Sequence, residues 1–412
     1  MRMQAMTEIL SAGDATARRL ADGARTHEAM NKGKLTVLVA FILAGLVALG
    51  FRFFGQVGVT KGPTVSVGGG AAPSLAGQFR GMVLQMHNPG DKNHPYEKFI
   101  DEIARSGANT VCLTVSAYQE DGSSSSIFID ARKTPTDDRI RGLVRHAHAK
   151  GLRVMFTPIV LLENGRDGEW RGKISPNSWT RWWQKYTEYI LHYAYLCNET
   201  RVEAFVVGSE LLSTEPQTPR WRRLIARVRG AYDGLLSYSA NWDHYRVPKF
   251  WDDLDMIGMT TYYNLTGGQK PTLARLKEAW VPLKREILNW QATIKKPILF
   301  TEVGWPNQPT CAQYPWNYLQ SDKTDPQAQA NCFEAFFDTW INEKLVAGFL
   351  VWEWRRNLTK TLDPDKDISY VPCEKPAMKV ISRYYRLPGP WEAEPPRGRP
   401  AATQPKQPPP AK

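Results

Sequence analysis

The chain has 412 residues, enough for two average domains or for one α/β barrel, a fold that uses about 250 to 400 residues. Its composition, 42% hydrophobic, 23% charged and 11% aromatic, is that of a globular protein with a sizeable core. The net charge of +12 owes much to the flanks, where Arg2, Arg18, Arg19, Arg25, Lys32, Lys34, Arg397, Arg399, Lys406 and Lys412 lie; between them basic residues are scattered along helical patterns, which excludes a nucleic-acid groove.

Residues 1–34 precede an apolar run from Leu35 to Gly50 that no charge interrupts. Phe51 to Phe54 extends it to about 20 residues, the length of one membrane-crossing helix. No amphipathic period argues for a buried core helix instead. The basic residues before the run place residues 1–34 in the cytoplasm and the remainder outside. Ala48-Leu49-Gly50 has the small-x-small form of a signal-peptidase site, so the 35–54 segment is read as a membrane anchor or a cleaved signal. The long leading segment favours the anchor; a start at Met30 would leave a conventional signal. Residues 55–78, rich in Gly, Ser, Val and Ala, read as a flexible linker, and the Pro-rich residues 388–412 as a disordered tail.

Between these flanks, at 79–387, short β-branched or aromatic runs alternate with helical periods, the pattern of parallel strands joined by crossover helices. Strands are predicted at Arg80–Met86, Thr110–Val115, Arg153–Ile159, Ala204–Ser209, Leu235–Ala240, Met256–Tyr262, Pro297–Thr301 and Gly348–Trp352. Helices are predicted at His94–Ser106, Asp137–Lys150, Trp179–Cys197, Pro219–Tyr232, Thr272–Gln291, Gln327–Lys344 and Ala377–Tyr385, with a short connection near Phe250–Leu254. Eight such rounds close into a (β/α)8 TIM barrel more readily than they extend as an open sheet. No GxGxxG or P-loop follows the first strand, which argues against a nucleotide-binding sheet.

Working residues of such a barrel stand at the C-terminal ends of its strands. Glu210 ends the fourth strand and Glu302 the seventh, each after a run apolar enough to be buried on both faces. Those strand ends face one another across the barrel mouth. Paired carboxyls there suit glycoside hydrolysis with retention, in which one attacks the anomeric carbon and the other protonates the leaving oxygen. Trp170, Arg171, Asn241, Trp242 and Trp305 occupy other strand-end loops and are candidates to line sugar subsites. The five cysteines show no CxxC pair and no Cys/His cluster at metal spacing, so no metal site is expected. Cys311 and Cys373 fall in polar, loop-like stretches and are the candidate disulfide; Cys112, Cys197 and Cys332 sit in apolar segments as small buried side chains.

From about residue 79 to 355 the chain resembles the retaining glycoside hydrolases with catalytic glutamates on strands four and seven, and among them family 113, whose members are β-mannanases. The resemblance rests on the order and spacing of Gly107-Ala108-Asn109-Thr110, Gly151-Leu152-Arg153-Val154-Met155, Trp170-Arg171-Gly172, Trp182-Trp183, Val207-Gly208-Ser209-Glu210-Leu211, Ser239-Ala240-Asn241-Trp242-Asp243, Phe250-Trp251 and Phe300-Thr301-Glu302-Val303-Gly304. It implies Glu210 as acid/base, Glu302 as nucleophile and Tyr262 as the hydroxyl that bonds the nucleophile, with Tyr263 as substitute if the strand register shifts by one. It implies an aromatic platform at the end of strand eight, Trp352 or Trp354, of which Trp352 is favoured. Ser209 stands where many of these enzymes carry an Asn that contacts the sugar 2-hydroxyl, and Cys112 where many carry Arg. The expected partner is a β-linked poly- or oligosaccharide, with mannan foremost, acted on by a monomeric catalytic domain that needs no cofactor. Another β-glycan (glucan, xylan or galactan) keeps the fold and mechanism; a non-catalytic carbohydrate-binding envelope protein keeps only the fold.

Overall fold

A computed structural model of the chain describes residues 77–86, 95–354, 363 and 365–390. The 35–54 segment expected to be a membrane anchor or signal and residues 1–34 lie outside these, as do nearly all of the expected linker and Pro-rich tail. Among the described residues no helix is long and apolar enough to cross a membrane.

Eight parallel strands form a closed barrel in chain order: β1 (Phe79–Gln85), β2 (Thr110–Gln119), β3 (Arg153–Leu162), β4 (Ala204–Ser209), β5 (Leu235–Ala240), β6 (Met256–Thr260), β7 (Ile298–Val303) and β8 (Val346–Val351), which pairs back onto β1. Around it run α1 (Tyr96–Arg105), α2 (Asp137–Ala149), α3 (Trp179–Thr200), α4 (Thr218–Arg229), α5 (Leu273–Ile294), α6 (Pro326–Trp340) and α7 (Pro376–Tyr385). As expected, the fifth connection is short, a single 3-10 turn at Trp251–Asp253. Helix starts follow local chemistry. The Thr136 and Ser178 hydroxyls and the Asp325 carboxylate accept the first free N–H groups of α2, α3 and α6, and Pro326 opens α6 where its missing N–H costs nothing.

Alternation along the strands separates two apolar layers. Phe79, Val83, Cys112, Met155, Val206, Leu235, Met256, Leu299 and Leu350 pack inside the barrel, whereas Met82, Leu84, Val111, Leu113, Val154, Phe156, Phe205 and Val207 face the helices. The outer layer holds the large rings. Phe300 meets Trp340 with centroids 4.9 Å apart, and Trp340 in turn meets Trp280. Each such side chain contributes about 1.5–3 kcal/mol on burial. Closure needs Gly348: a Cβ there would stand 2.4 Å from the Phe79 carbonyl, so only glycine lets β8 approach β1. Helix α7 ties the closing strands, as the Tyr385 hydroxyl donates to the Gly81 carbonyl at 2.8 Å and Arg80 donates to the Tyr385 carbonyl at 2.9 Å.

Candidate active site

Two strand irregularities aim the acidic side chains. Between β4 and β5 the pairing slips after Val206, so that Ser209, rather than Gly208, continues the inward row. Between β6 and β7 it slips from Met259↔Phe300 to Thr260↔Glu302, an extra residue that turns Glu302 as well as Thr301 toward the barrel axis. Glu210 follows β4 directly with φ at +52°, a left-handed conformation that an L residue resists and that concentrates at functional positions. Its N–H donates to the Ser239 carbonyl at 2.8 Å.

The result is a cleft with two lobes that share Arg171, Glu302, Tyr318 and Trp352. The deeper lobe, about 440 Å³, stands on the barrel interior and is lined by Gln85, Cys112, Thr114, Thr157, Ser209, Ser239 and Thr301. The outer lobe, about 580 Å³, is lined by Trp170, Glu210, Asn241, Trp242, Asp243, Tyr262, Trp316 and Tyr370. The deeper lobe has more hydroxyl side chains, among Val83, Ile159 and Leu161, and the outer one more aromatic rings. Trp242 and Trp316 stack nearly parallel, 5.9 Å between centroids, and Trp316 and Tyr318 are each 46% exposed.

Glu302 is buried and accepts a hydrogen bond from the Tyr262 hydroxyl at 2.8 Å. Glu210, also buried, accepts one from Arg171 at 2.6 Å. Burial, followed by the charge of Glu210, pushes the Glu302 carboxyl up to about 8, against the pull of Arg171 and Tyr262. Burial likewise raises Glu210, with Arg171 pulling it down and Asp243 pushing it up. Two like charges in a buried site resist joint ionisation, so the pair retains a proton near neutral pH. Beneath them burial pushes the Cys112 thiol up to about 12, so it is a neutral thiol in contact with the Thr157 hydroxyl at 3.3 Å and not a nucleophile. Among the described residues no group of His, Cys, Asp and Glu is arranged to hold a metal ion.

Residues 90–375, more than half of the chain, match the model of Glycoside Hydrolase Family 113. The chain belongs to glycoside hydrolase family 113. Among solved structures it is similar to the family 113 β-mannanase AaManA from Alicyclobacillus acidocaldarius in complex with ManMIm, at 30% identity and a TM-score of 0.66 over 76% of this chain and 99% of that one. A further family 113 β-1,4-mannanase complex matches at 27% identity and a TM-score of 0.66, covering 75% of this chain and 99% of that one. A β-glucuronidase from Ruminococcus gnavus, at 14% identity and a TM-score of 0.52 over 75% of this chain and 50% of that one, shares the fold alone. Comparison with curated proteins returns no match.

The glycoside hydrolase therefore carries Glu210, Glu302, Tyr262, Trp170, Arg171, Ser209, Asn241, Trp242 and Trp352 around one cleft. Strand β6 ends at Thr260, two residues before Tyr262, yet Tyr262 and not Tyr263 bonds Glu302; the Tyr263 hydroxyl donates to the Trp242 carbonyl. Three expectations are corrected. Trp305 lines no sugar subsite: it is buried outside the barrel against Phe333 and Phe336, because the chain beyond β7 turns toward α6. Trp354 lies outside the cleft too, its backbone N–H tied to the Val83 carbonyl and its ring beside Glu102, Cys373 and Met378; β8 ends at Val351, so the same-face rule that would pair it with Trp352 no longer holds. Cys311 and Cys373 form no disulfide; the sulfur beside Cys311, at 3.8 Å, belongs to Cys332 on the inner face of α6.

Sequence reasoning missed Gln85, Thr114 and Thr157 in the deep lobe. A signal for them existed, since each lies two residues beyond an inward-facing residue (Val83, Cys112, Met155) on its strand. Asp243, Trp316, Tyr318 and Tyr370 were missed as well. The aromatic run Tyr314-Pro315-Trp316-Asn317-Tyr318 marks the β7–α6 loop as a platform, but nothing in the run shows which way it folds.

Proposed function

We propose that the protein is a retaining, mannan-directed β-glycosidase in which Glu302 is the nucleophile and Glu210 the acid/base. The observation that carries this reading is one cleft with two buried carboxyls acting on each other, one held by a phenol and the other by a guanidinium. Double displacement needs one carboxylate and one carboxylic acid about 5–5.5 Å apart. Glu302 attacks the anomeric carbon as the bond to the leaving oxygen breaks, and that oxygen takes the proton of Glu210. Water then gives a proton to Glu210, attacks the same carbon and releases Glu302. In the free protein Arg171 is the partner of Glu210 and favours its charged form. A leaving-group oxygen entering beside Trp170 takes that place, the shared proton moves to Glu210, and Tyr262 and Arg171 stabilise ionised Glu302.

Mannan as substrate is supported by the two family 113 neighbours, which are described as β-mannanases. The Ser209 hydroxyl, buried in the deep lobe and without a hydrogen-bond partner among the described residues, suits a sugar hydroxyl there. Trp170, Trp242 and Trp316 suit the apolar faces of sugars on the leaving-group side. We further read the 35–54 segment as the device that exports the domain and holds it to the membrane, or releases it after cleavage; alkaline-carbonate extraction of membranes distinguishes the two. Hydrolysis of β-mannan, β-glucan, xylan and galactan side by side tests the substrate. Mannan is expected to be cleaved fastest. Preference for another glycan changes the sugar, and no hydrolysis of any glycoside overturns the enzymatic reading.

A further inference from the structure

A third buried carboxylate, which the chemistry above does not use, stands behind Glu210. Glu215 has no exposed surface, although it lies only five residues further along the same turn. One of its oxygens accepts from the Tyr238 hydroxyl at 2.8 Å, and the other faces His244 Nδ1 at 3.3 Å. The Tyr238 oxygen itself accepts the N–H of Leu211 at 3.0 Å. Leu211 is the residue after Glu210 and is buried, so its N–H needs an acceptor inside the protein. It finds a phenol, and Glu215 fixes the direction of that phenol's own proton. The chain of donors therefore runs one way, from Leu211 N–H to Tyr238 O–H to the Glu215 carboxyl.

The left-handed backbone of Glu210 persists only where neighbours over-determine it. Two bonds brace it, Glu210 N–H to the Ser239 carbonyl and Leu211 N–H to Tyr238, and both partners lie on β5. Tyr238 is itself locked. Its ring meets Trp221 edge-on at 5.0 Å and Phe250 at 5.4 Å. That wall presses on β4 where Gly208 lies, since a Cβ on Gly208 would come within 2.6 Å of the Tyr186 hydroxyl and 2.8 Å of Trp221. Burial pushes the Glu215 carboxyl up to about 7, and the groups facing it are Tyr238, His244 and the charge of Glu210. Either protonation form of Glu215 keeps an acceptor oxygen for Tyr238.

We propose that Tyr238 and Glu215 are positioning residues for the acid/base: their hydrogen-bond chain holds the Glu210–Leu211 peptide and so aims the Glu210 carboxyl at the leaving-group oxygen. This rests on Glu210 being the acid/base. A misplaced acid costs rate only where the leaving group needs its proton, a selectivity that a general loss of stability does not produce.

The test compares kcat/KM for a manno-oligosaccharide and for the dinitrophenyl glycoside of the same sugar, whose leaving group departs unprotonated. Wild type, Tyr238→Phe, Glu215→Gln, Glu215→Ala and Glu210→Ala are measured, each checked for folding by thermal unfolding. Tyr238→Phe and Glu215→Ala are expected to lose on the order of 10- to 100-fold on the oligosaccharide and only a few-fold on the aryl glycoside. Glu215→Gln, which keeps an acceptor for Tyr238, is expected to recover most of that loss. Should Tyr238→Phe fail to fold, the pair Glu215→Ala and Glu215→Gln carries the comparison. Equal losses on both substrates, or none, in these variants while Glu210→Ala stays selective overturn the positioning role and leave the acid/base assignment standing. Equal losses in Glu210→Ala itself would overturn the assignment on which it rests.

Discussion

The ends of β4 and β7 deliver the same functional group to one cleft by different means. Glu302 sits inside a strand, turned inward by an extra residue, and takes a neutral donor, Tyr262. Glu210 sits beyond a strand in a strained turn and takes a cation, Arg171. Burial raises both carboxyls, so burial alone cannot divide the roles. Under the roles proposed above, support does: a carboxylate inside a paired strand with a phenol donor is suited to stay in place and hold charge, while one on a braced turn beside a long arginine side chain can exchange its partner for a substrate.

Substitutions at the two ends should break this comparison in different ways. The largest effect belongs to Glu302→Gln, expected to lower hydrolysis by on the order of 10⁴-fold with the fold intact. It should also stabilise the protein in alkali. Burial and the charge of Glu210 push the folded carboxyl up to about 8 from an ordinary 4.5, so the folded state binds the proton more tightly. That contribution is full below about 4.5 and lost as pH rises through about 8. Melting curves across that range should show wild type falling more than Glu302→Gln. Next, Glu210→Ala should cost about 10²- to 10⁴-fold on oligosaccharides and far less on activated aryl glycosides.

Removing the supports sharpens the contrast. Both Arg171 and Tyr262 pull the Glu302 carboxyl down, so in Arg171→Met and Tyr262→Phe the acid limb of the kcat/KM profile should move to higher pH, by on the order of one unit. A limb that does not move would leave Tyr262 as a wall residue. The smallest effect is expected of Trp316→Ala, whose ring is half-exposed: KM for longer oligosaccharides rising about 3- to 10-fold at unchanged kcat.

The barrel was legible because parallel strands buried on both faces read as short apolar runs, and because crossover helices carry their own period. Glu210 and Glu302 were legible for the same reason, as charges closing such runs. Direction beyond a strand end was not. Trp305 and Trp354 each stand a few residues past the last paired position, where alternation has lapsed and the loop path decides which side a ring faces. The bulges that aim Ser209 and Glu302 are products of strand pairing and leave no mark on the local sequence. Cys332 was rightly read as a small buried side chain, but the nearness of its sulfur to Cys311 depends on how α6 seats against the β7 loop. The Tyr238–Glu215 brace was equally hidden, since an acid five residues past another in a polar turn looks solvated until burial is known.

The assignment of Glu302 as the group that bonds to sugar is tested most directly by trapping. A mannoside with fluorine in place of its 2-hydroxyl and a good leaving group enters the first step quickly and leaves the second slowly, so the covalent sugar–enzyme species accumulates. Peptide mass spectrometry of the inactivated protein should find one sugar, attached to Glu302. A sugar attached to Glu210 or elsewhere, or turnover with inverted configuration and no adduct, would contradict the account.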